Sequence, residues 1–180
     1  MKIGILGGSF NPAHLGHIYL SNLALENCAL DEIWWVPTVQ NPFKDKESYA
    51  PFDTRLAGCL EITKNHPKII VKNFAEDSFS TYELVKKIQA ENPQTRFCFV
   101  MGADNLEKFH LWKNFIELIN LVEFAIFSRG EYLQGAKQTK AWQLYEEIIS
   151  QQNSTKILPK FSLFQTKNYD ISASEIRQNS

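Results

Sequence analysis

The stretch that decides the fold is GGSFNPAHLGH at residues 7–17, which follows the short β-rich run Lys2–Leu6. Apolar residues then recur at helical spacing over Leu15–Asn27, so the stretch joins a first strand to a first helix. Paired glycines allow a backbone to turn sharply and to approach a ligand closely. A helix start presents N–H groups and partial positive charge, which favour a bound phosphate. We therefore expect a phosphate-binding loop here.

The rest of the chain continues the alternation of strand and helix patterns, which is typical of a parallel sheet with helices on both faces. Near-continuous apolar strands fit such a sheet because both of its faces are covered. No repeat or linker divides the chain, so we expect one α/β domain, a doubly wound parallel sheet, over residues 1–180. Among its helices, Asp53–Asn65 should begin with Asp53 as N-cap, and Ala136–Gln152 should be one polar helix.

Composition limits the classes of partner. The 180 residues include 19 basic and 20 acidic side chains, a net charge of −1. No bulk positive field can hold a nucleic acid or an anionic membrane, so local geometry must hold any phosphate. The start MKIGIL reads as a strand and not as a secretory signal, and no apolar run approaches the roughly 20 residues that span a bilayer. Three cysteines without a CxxC pair suggest a reducing compartment, so we expect a cytoplasmic protein.

Two histidines mark the helix start. His14 and His17 are three positions apart, so both rings can lie on one face and stabilise charge that develops on a phosphate. Each could instead be a satisfied N-terminal side chain or a surface residue. A zinc site needs further ligands, and His66 and His110 belong to no ligand-spaced cluster, so we expect no metal bound by the protein. The glycines do not match GxGxxG, and no acidic residue ends the second strand, which disfavours a dehydrogenase-type dinucleotide site.

The same stretch resembles the GGxFxPxHxGH signature of the nucleotidyltransferase superfamily, which contains adenylyl- and cytidylyltransferases. Near the C-terminus, ISASEIR at residues 171–177 is similar to the ISxxxIR stretch with which that superfamily opens a helix. There a serine can cap the helix, while its free N–H groups and Arg177 hold phosphate oxygens. The resemblance implies a Rossmann-like fold of the nucleotidyltransferase type.

Between the two signatures the chain resembles the bacterial nicotinate-nucleotide adenylyltransferases over nearly its full length. PTVQNPFK at residues 37–44 is similar to the loop after their second strand, which ends in a lysine. GADNL at residues 102–106, followed by Phe109 and Trp112, is similar to their GxDxLxxFxxW block. STYE at residues 80–83 resembles their Tyr-Thr segment, with Ser80 where tyrosine is usual.

The resemblance implies roles for individual residues. The catalytic residues would be His14, His17 and Arg177. ATP would be bound by the first loop and by residues at later strand ends, namely Gly7, Gly8, Ser9, Phe10, Gly102, Asp104, Arg129, Ser172 and Ser174. The nicotinate nucleotide would be bound by Lys44, Thr81, Tyr82, Trp112 and Lys113.

The implied reaction is in-line attack of the 5′-phosphate of nicotinate mononucleotide on the α-phosphate of ATP. Mg²⁺ would accompany ATP with few protein ligands. The partners would be ATP and a pyridine mononucleotide, with neither nucleic acid nor membrane, and self-association stays open. Alternative readings are a nicotinamide mononucleotide or phosphopantetheine acceptor, a cytidylyltransferase, and a non-catalytic nucleotide-binding module. The block Gly102–Trp112 disfavours other transferases of the fold, and the histidines with Arg177 disfavour the module.

Overall fold

A computed structural model of the chain describes residues 1–39, 50–74, 80–129, 132–151 and 161–166. The chain divides into two compact units, the first described up to residue 74 and the second from residue 80. The first unit alternates strands with helices in the order β1 (Lys2–Gly8), α1 (Leu15–Asn27), β2 (Glu32–Pro37), α2 (Phe52–Thr63) and β3 (Ile69–Val71).

The second unit begins with a helix and contains three further strands. In chain order its elements are α3 (Thr81–Glu91), β4 (Arg96–Gly102), a 3-10 turn (Ala103–Asn105), α4 (Leu106–Phe109), α5 (Phe115–Ile119), β5 (Glu123–Arg129), α6 (Tyr132–Gln138), α7 (Lys140–Gln151) and β6 (Phe161–Thr166). None of the described helices combines the length and the apolar character that crossing a bilayer requires.

Strands pair in parallel within each unit. In the first unit β2 lies between β1 and β3, with Ile5 of β1 opposite Trp34 of β2. In the second unit β5 lies between β4 and β6, with Ala125 of β5 opposite Ser162 of β6. Helices connect the consecutive strands of each unit. The prediction of an α/β fold built on parallel strands is therefore confirmed, while the single domain over residues 1–180 stays a prediction.

In the core of the first unit, buried contacts hold α1 against β2. Trp35 is fully buried, and its indole N–H donates to the Ser21 hydroxyl oxygen at 2.8 Å. The Ser21 hydroxyl in turn donates to the backbone carbonyl of His17 at 2.8 Å. The Phe10 ring stacks on Trp35 with 4.8 Å between ring centroids. The first turns of α1 are therefore fixed by buried contacts.

The core of the second unit is built from aromatic rings. Phe109 is fully buried and lies 5.0 Å from Phe124 and 6.0 Å from Phe161 between ring centroids. Tyr145 stacks on Phe161 at 3.8 Å, and its hydroxyl oxygen accepts the Phe161 backbone N–H at 2.9 Å. Burying this polar tip with a partner avoids the cost of an unsatisfied group.

Two of the predicted helix boundaries are wrong. α2 begins at Phe52 with Pro51 as N-cap, without a side-chain cap bond, and Asp53 lies in the first turn. Proline is tolerated at this position because the N–H that it lacks would have no intrahelical acceptor, and the Asp53 carboxylate still lies near the positive end of the helix dipole. The helix predicted over residues 136–152 is interrupted at Thr139, where α6 has ended and α7 has not yet begun. The Thr139 hydroxyl donates to the Ala136 carbonyl and accepts the Trp142 N–H, which ends one helix and begins the next.

Candidate active site

The turn after β1 lies later than the glycines suggest. β1 continues through Gly7 and Gly8, where Gly8 pairs with Pro37 of β2. The left-handed residue is Phe10, with φ of 45°, and the Asn11–Pro12 peptide is cis. A Cβ at Gly8 would be 3.5 Å from the Phe10 ring, an ordinary contact. The left-handed turn is therefore made at Phe10, two residues after the second glycine, and burial of the Phe10 ring holds this backbone conformation.

Phe10 was predicted to bind ATP, and the structure places its side chain in the core. The ring is 1% exposed and lies 4.7 Å from the His17 ring between centroids. A ligand in this loop can therefore meet Phe10 only through its backbone.

His14 and His17 cap the first helix reciprocally. His14 is the N-cap of α1, and its Nδ1 accepts the Gly16 N–H at 3.1 Å. The Nδ1 of His17 accepts the His14 N–H at 3.2 Å, so the pair reproduces a capping box with imidazoles in place of serine and glutamate. The ring centroids are 3.9 Å apart, which confirms that both rings lie on one face of the helix start.

These two bonds decide which ring nitrogen carries the proton. A ring nitrogen that accepts a backbone N–H holds a lone pair and no proton, so we assign the proton of each neutral ring to Nε2. His14 is 8% exposed and His17 is half-buried. Each imidazole is therefore oriented as an N–H donor beside the N-terminus of α1, which suits a phosphate oxygen better than a metal ion.

The end of β4 is shaped by Gly102 and Asp104. Gly102 is the N-cap of the 3-10 turn and makes no side-chain cap bond. A Cβ at Gly102 would collide with the Asp104 carboxylate, so glycine allows this carboxylate to lie over the strand end. Asp104 is exposed and does not act as a helix cap. The carboxylate is thus placed to accept hydrogen bonds from a ligand hydroxyl group.

Trp112 projects from the aromatic core of the second unit. Its ring is half-buried and meets Phe99 and Phe109 edge-on, at 6.0 Å and 5.0 Å between centroids. The backbone N–H of Trp112 donates to the Phe109 carbonyl at 3.0 Å. This amide is therefore engaged within the protein, and the indole ring is the part of Trp112 that can meet a flat ligand.

Glu83 connects Lys113 to the first turn of α3. Its Oε1 accepts the Lys113 ammonium at 2.7 Å, and its Oε2 accepts the N–H and the hydroxyl of Ser80 at 3.0 Å and 2.8 Å. Ser80 is the N-cap of α3, so Thr81 and Tyr82 form the helix turn whose N–H groups lack intrahelical acceptors. Lys113 is thereby held beside a ready anion-binding helix start.

Several predicted site residues cannot be placed. Lys44, Ser172, Ser174 and Arg177 lie outside the described residues. Arg129 is the last residue of β5, where its backbone is opposite Thr166.

Two residues that contact predicted site residues were not found by the sequence analysis. Arg55 is 3% exposed on α2 and donates to backbone carbonyls of the first loop and of the segment after β2. A cavity of about 320 Å³ lies between residues 10–13 and α2, with Arg55 and Gly58 in its wall.

The other residue is Glu83. Its role at the helix start could have been found in the sequence, because Ser80 and Glu83 form the S-x-x-E pattern of a capping box.

Comparison with known proteins settles the family. The cytidylyltransferase-like family model matches residues 5–179. The chain belongs to the cytidylyltransferase-like family. A probable nicotinate-nucleotide adenylyltransferase of Agrobacterium fabrum is 31% identical over 186 residues, covering 99% of each chain. Another, of Methylorubrum extorquens, is 37% identical over 147 residues, covering 81% of this chain and 79% of its own.

Solved structures agree with the family. Nicotinic acid mononucleotide adenylyltransferase of Plasmodium falciparum, complexed with NaAD, matches with a TM-score of 0.73 and 25% identity, covering 98% of this chain and 82% of that one. A second structure of the Plasmodium enzyme, complexed with APC, matches with a TM-score of 0.71 and 24% identity, over 98% of this chain and 82% of that one. The expected Rossmann-like nucleotidyltransferase fold and the resemblance to nicotinate-nucleotide adenylyltransferases are both confirmed.

The hydrogen bonds around Glu83 determine its pKa, which can be measured. The hydrogen bond from Lys113 and those from the Ser80 backbone and hydroxyl lower the pKa of Glu83 from 4.5 to about 2. A lowered pKa in the folded state means that the carboxylate stabilises the protein fully above pH 4.5 and loses this effect as the pH falls toward 2. We expect an NMR titration of the Glu83 side chain to give a midpoint near pH 2.

Lys113→Met is the matched variant for this titration. It removes the largest cause of the shift, so the midpoint should move upward, toward 4.5. A midpoint near 4.5 already in the unmodified protein would show that Lys113 is not held at α3 in solution.

Proposed function

We propose that the protein transfers the adenylyl group of ATP to nicotinate mononucleotide, giving nicotinate adenine dinucleotide and pyrophosphate in NAD biosynthesis, and that one domain over residues 1–180 does so. The observation that carries the proposal is the pair of imidazole donors, His14 and His17, at the start of α1. Family membership, relatives named as nicotinate-nucleotide adenylyltransferases and a structural neighbour complexed with NaAD support the choice of reaction.

The reaction exchanges one P–O bond for another. A phosphate oxygen of the mononucleotide bonds to the α-phosphorus of ATP, and the bond from that phosphorus to the bridging oxygen of the β-phosphate breaks. The attacking phosphate is anionic at neutral pH, so no side chain has to remove a proton from it. Catalysis then consists of positioning and of stabilising charge on the α-phosphate oxygens. Nε2–H groups of His14 and His17 supply that stabilisation.

ATP is proposed to lie along the first loop and the ends of the later strands. Backbone groups of Gly7, Gly8, Ser9 and Phe10 approach the phosphates, while the Asp104 carboxylate, placed by Gly102, accepts hydrogen bonds from ribose hydroxyls. The remaining proposed ATP contacts come from residues that the sequence resemblance assigns to phosphate or adenine, namely Arg129, Ser172, Ser174 and Arg177.

The acceptor is proposed to lie at the start of α3. Trp112 offers an indole ring to the flat, electron-poor nicotinate ring. The nicotinate carboxylate meets the first-turn N–H groups at Thr81 and Tyr82 and the ammonium of Lys113, which Glu83 holds nearby. Lys44 is proposed to neutralise the phosphate of the mononucleotide.

Mg²⁺ is proposed to enter with ATP as part of the substrate. The loop 7–17 offers imidazole and amide donors and contains no carboxylate, so its chemistry suits phosphate oxygens and not the metal. Phosphate oxygens and water are the ligands that Mg²⁺ prefers in such sites, and the ion would supply positive charge to the pyrophosphate group.

The direct test is pyrophosphate release with ATP and Mg²⁺ and three separate acceptors. We expect release with nicotinate mononucleotide to exceed release with nicotinamide mononucleotide and with phosphopantetheine, because Lys113 and the start of α3 favour a carboxylate. Release with phosphopantetheine alone would assign another transferase activity. No release with any acceptor would favour a nucleotide-binding module.

His17 allows its two ring nitrogens to be tested separately. An asparagine amide can replace the Nδ1 acceptor that caps α1, whereas a glutamine amide reaches the position of Nε2. We expect His17→Asn to keep the helix start and to lower kcat by roughly 10²–10³, the scale for losing one preorganised donor. His17→Gln should retain more turnover than His17→Asn, because it keeps a donor near the reacting phosphate.

His66→Ala is the control for this series, since His66 lies in the turn before β3 and has no proposed role. Turnover and thermal unfolding are measured for all three variants. A His17→Asn protein with unchanged kcat would remove His17 from the mechanism.

A further inference from the structure

Arg55 is a buried cation bonded to the backbone of three segments. Its Nη1 donates to the carbonyls of Ser9 at 2.5 Å and Thr38 at 2.9 Å, and its Nη2 donates to the carbonyl of Val39 at 3.1 Å. Its Nε donates to the carbonyl of Ala50 at 3.0 Å. One planar guanidinium thus joins the loop after β1, the segment after β2 and the chain that leads into α2.

A second contact fixes the neighbouring peptide. The Gly8 carbonyl accepts the Thr38 N–H at 2.9 Å and the Thr38 hydroxyl at 3.3 Å. The two successive carbonyls of the first loop, those of Gly8 and Ser9, are therefore both held by donors from elsewhere in the unit.

The geometry of the peptide bond shows where the N–H groups of Ser9 and Phe10 point once the preceding carbonyls are fixed. In a trans peptide the carbonyl of one residue and the N–H of the next point in opposite directions. The peptides that join Gly8 to Ser9 and Ser9 to Phe10 are trans, since Asn11–Pro12 is the cis bond among the described residues. The Ser9 N–H therefore points away from Thr38, and the Phe10 N–H points away from the Arg55 guanidinium.

We propose that Arg55 is the positioning residue of the phosphate-binding loop, which holds the Ser9 carbonyl back and so presents the Phe10 N–H to the triphosphate of ATP. This inference rests on the proposed function and adds a residue to it that touches no substrate. A carbonyl oxygen would repel a phosphate, whereas an N–H donor binds it. Thr38 and Arg55 hold the carbonyls of Gly8 and Ser9 toward the protein interior. The opposite side of the loop therefore carries N–H donors.

The charge of Arg55 acts on its buried surroundings as well. Burial raises the pKa of the Cys59 thiol to about 12, and the guanidinium of Arg55, one helical turn away, opposes that rise.

The test uses two variants of Arg55 in the full chain. Arg55→Lys keeps the charge, but a single ammonium cannot hold carbonyls of three segments as a planar fork does. Arg55→Met removes both charge and hydrogen bonds. We expect kcat/KM for ATP to fall about 10²-fold in Arg55→Lys, the scale for a displaced catalytic loop, and further in Arg55→Met. The KM for nicotinate mononucleotide should stay within about threefold, so the loss is specific for ATP.

Arg96→Met is the matched control. Arg96 is exposed and paired with Glu123 at 2.9 Å, so its loss should leave the kinetics unchanged. Thermal unfolding and the Kd for a non-hydrolysable ATP analogue are measured on every variant. Arg55 variants that are folded but keep kcat/KM and Kd for ATP within about twofold would overturn the proposal. So would an equal rise in the KM for ATP and the KM for nicotinate mononucleotide, which a merely structural role predicts.

A measurement on the unmodified protein decides the matter if the variants do not fold. Titration with the ATP analogue should shift the NMR signals of the Ser9 and Phe10 amides. The absence of such shifts, with the analogue bound, would overturn the positioning role. Shifts at these amides without any nucleotide product in the acceptor assay would refute the proposed reaction, while the contact of the loop amides with phosphate would still hold.

Discussion

The two backbone hydrogen bonds that the His14 and His17 rings accept are the constraint on which the site depends. Each ring uses Nδ1 to accept a backbone N–H at the start of α1, so each ring holds its proton at Nε2. The buried chain from Trp35 through Ser21 to the His17 carbonyl fixes the same turn of helix from the core side. One local motif therefore begins the helix, orients both rings and selects the tautomer of each neutral ring.

The loop before these histidines shows how a protein with a net charge of −1 can prepare an anion site. Its donors are backbone and imidazole N–H groups, and their direction is set from behind. Thr38 and Arg55 hold the Gly8 and Ser9 carbonyls, while burial of the Phe10 ring holds the left-handed turn. In the role proposed here, a buried arginine contributes to anion binding through the orientation of the backbone and without touching the ligand.

Features that depend on neighbouring residues could be predicted from the sequence, whereas features that depend on contacts between distant segments could not. The bounds Leu15–Asn27 were predictable because helical spacing and the histidine motif coincide, and the cores around Trp35 and residues 97–101 follow from apolar runs. The start of α2 at Phe52 was not predictable from Asp53, because Pro51 supplies the cap position. Arg55 escaped notice because it shares one buried stripe with Cys59 and Thr63, a pattern that reads as polar, and its acceptors are backbone atoms of distant segments.

The most direct test of the account is the protonation of the two rings. ¹⁵N–¹H NMR correlation of the imidazoles, recorded at pH 8 with His14→Asn and His17→Asn variants for assignment, reports which nitrogen of each ring carries the proton. Both rings should hold the proton at Nε2, with Nδ1 unprotonated. A proton on Nδ1 of either ring would contradict it, because that ring could neither cap α1 nor aim its donor at a phosphate.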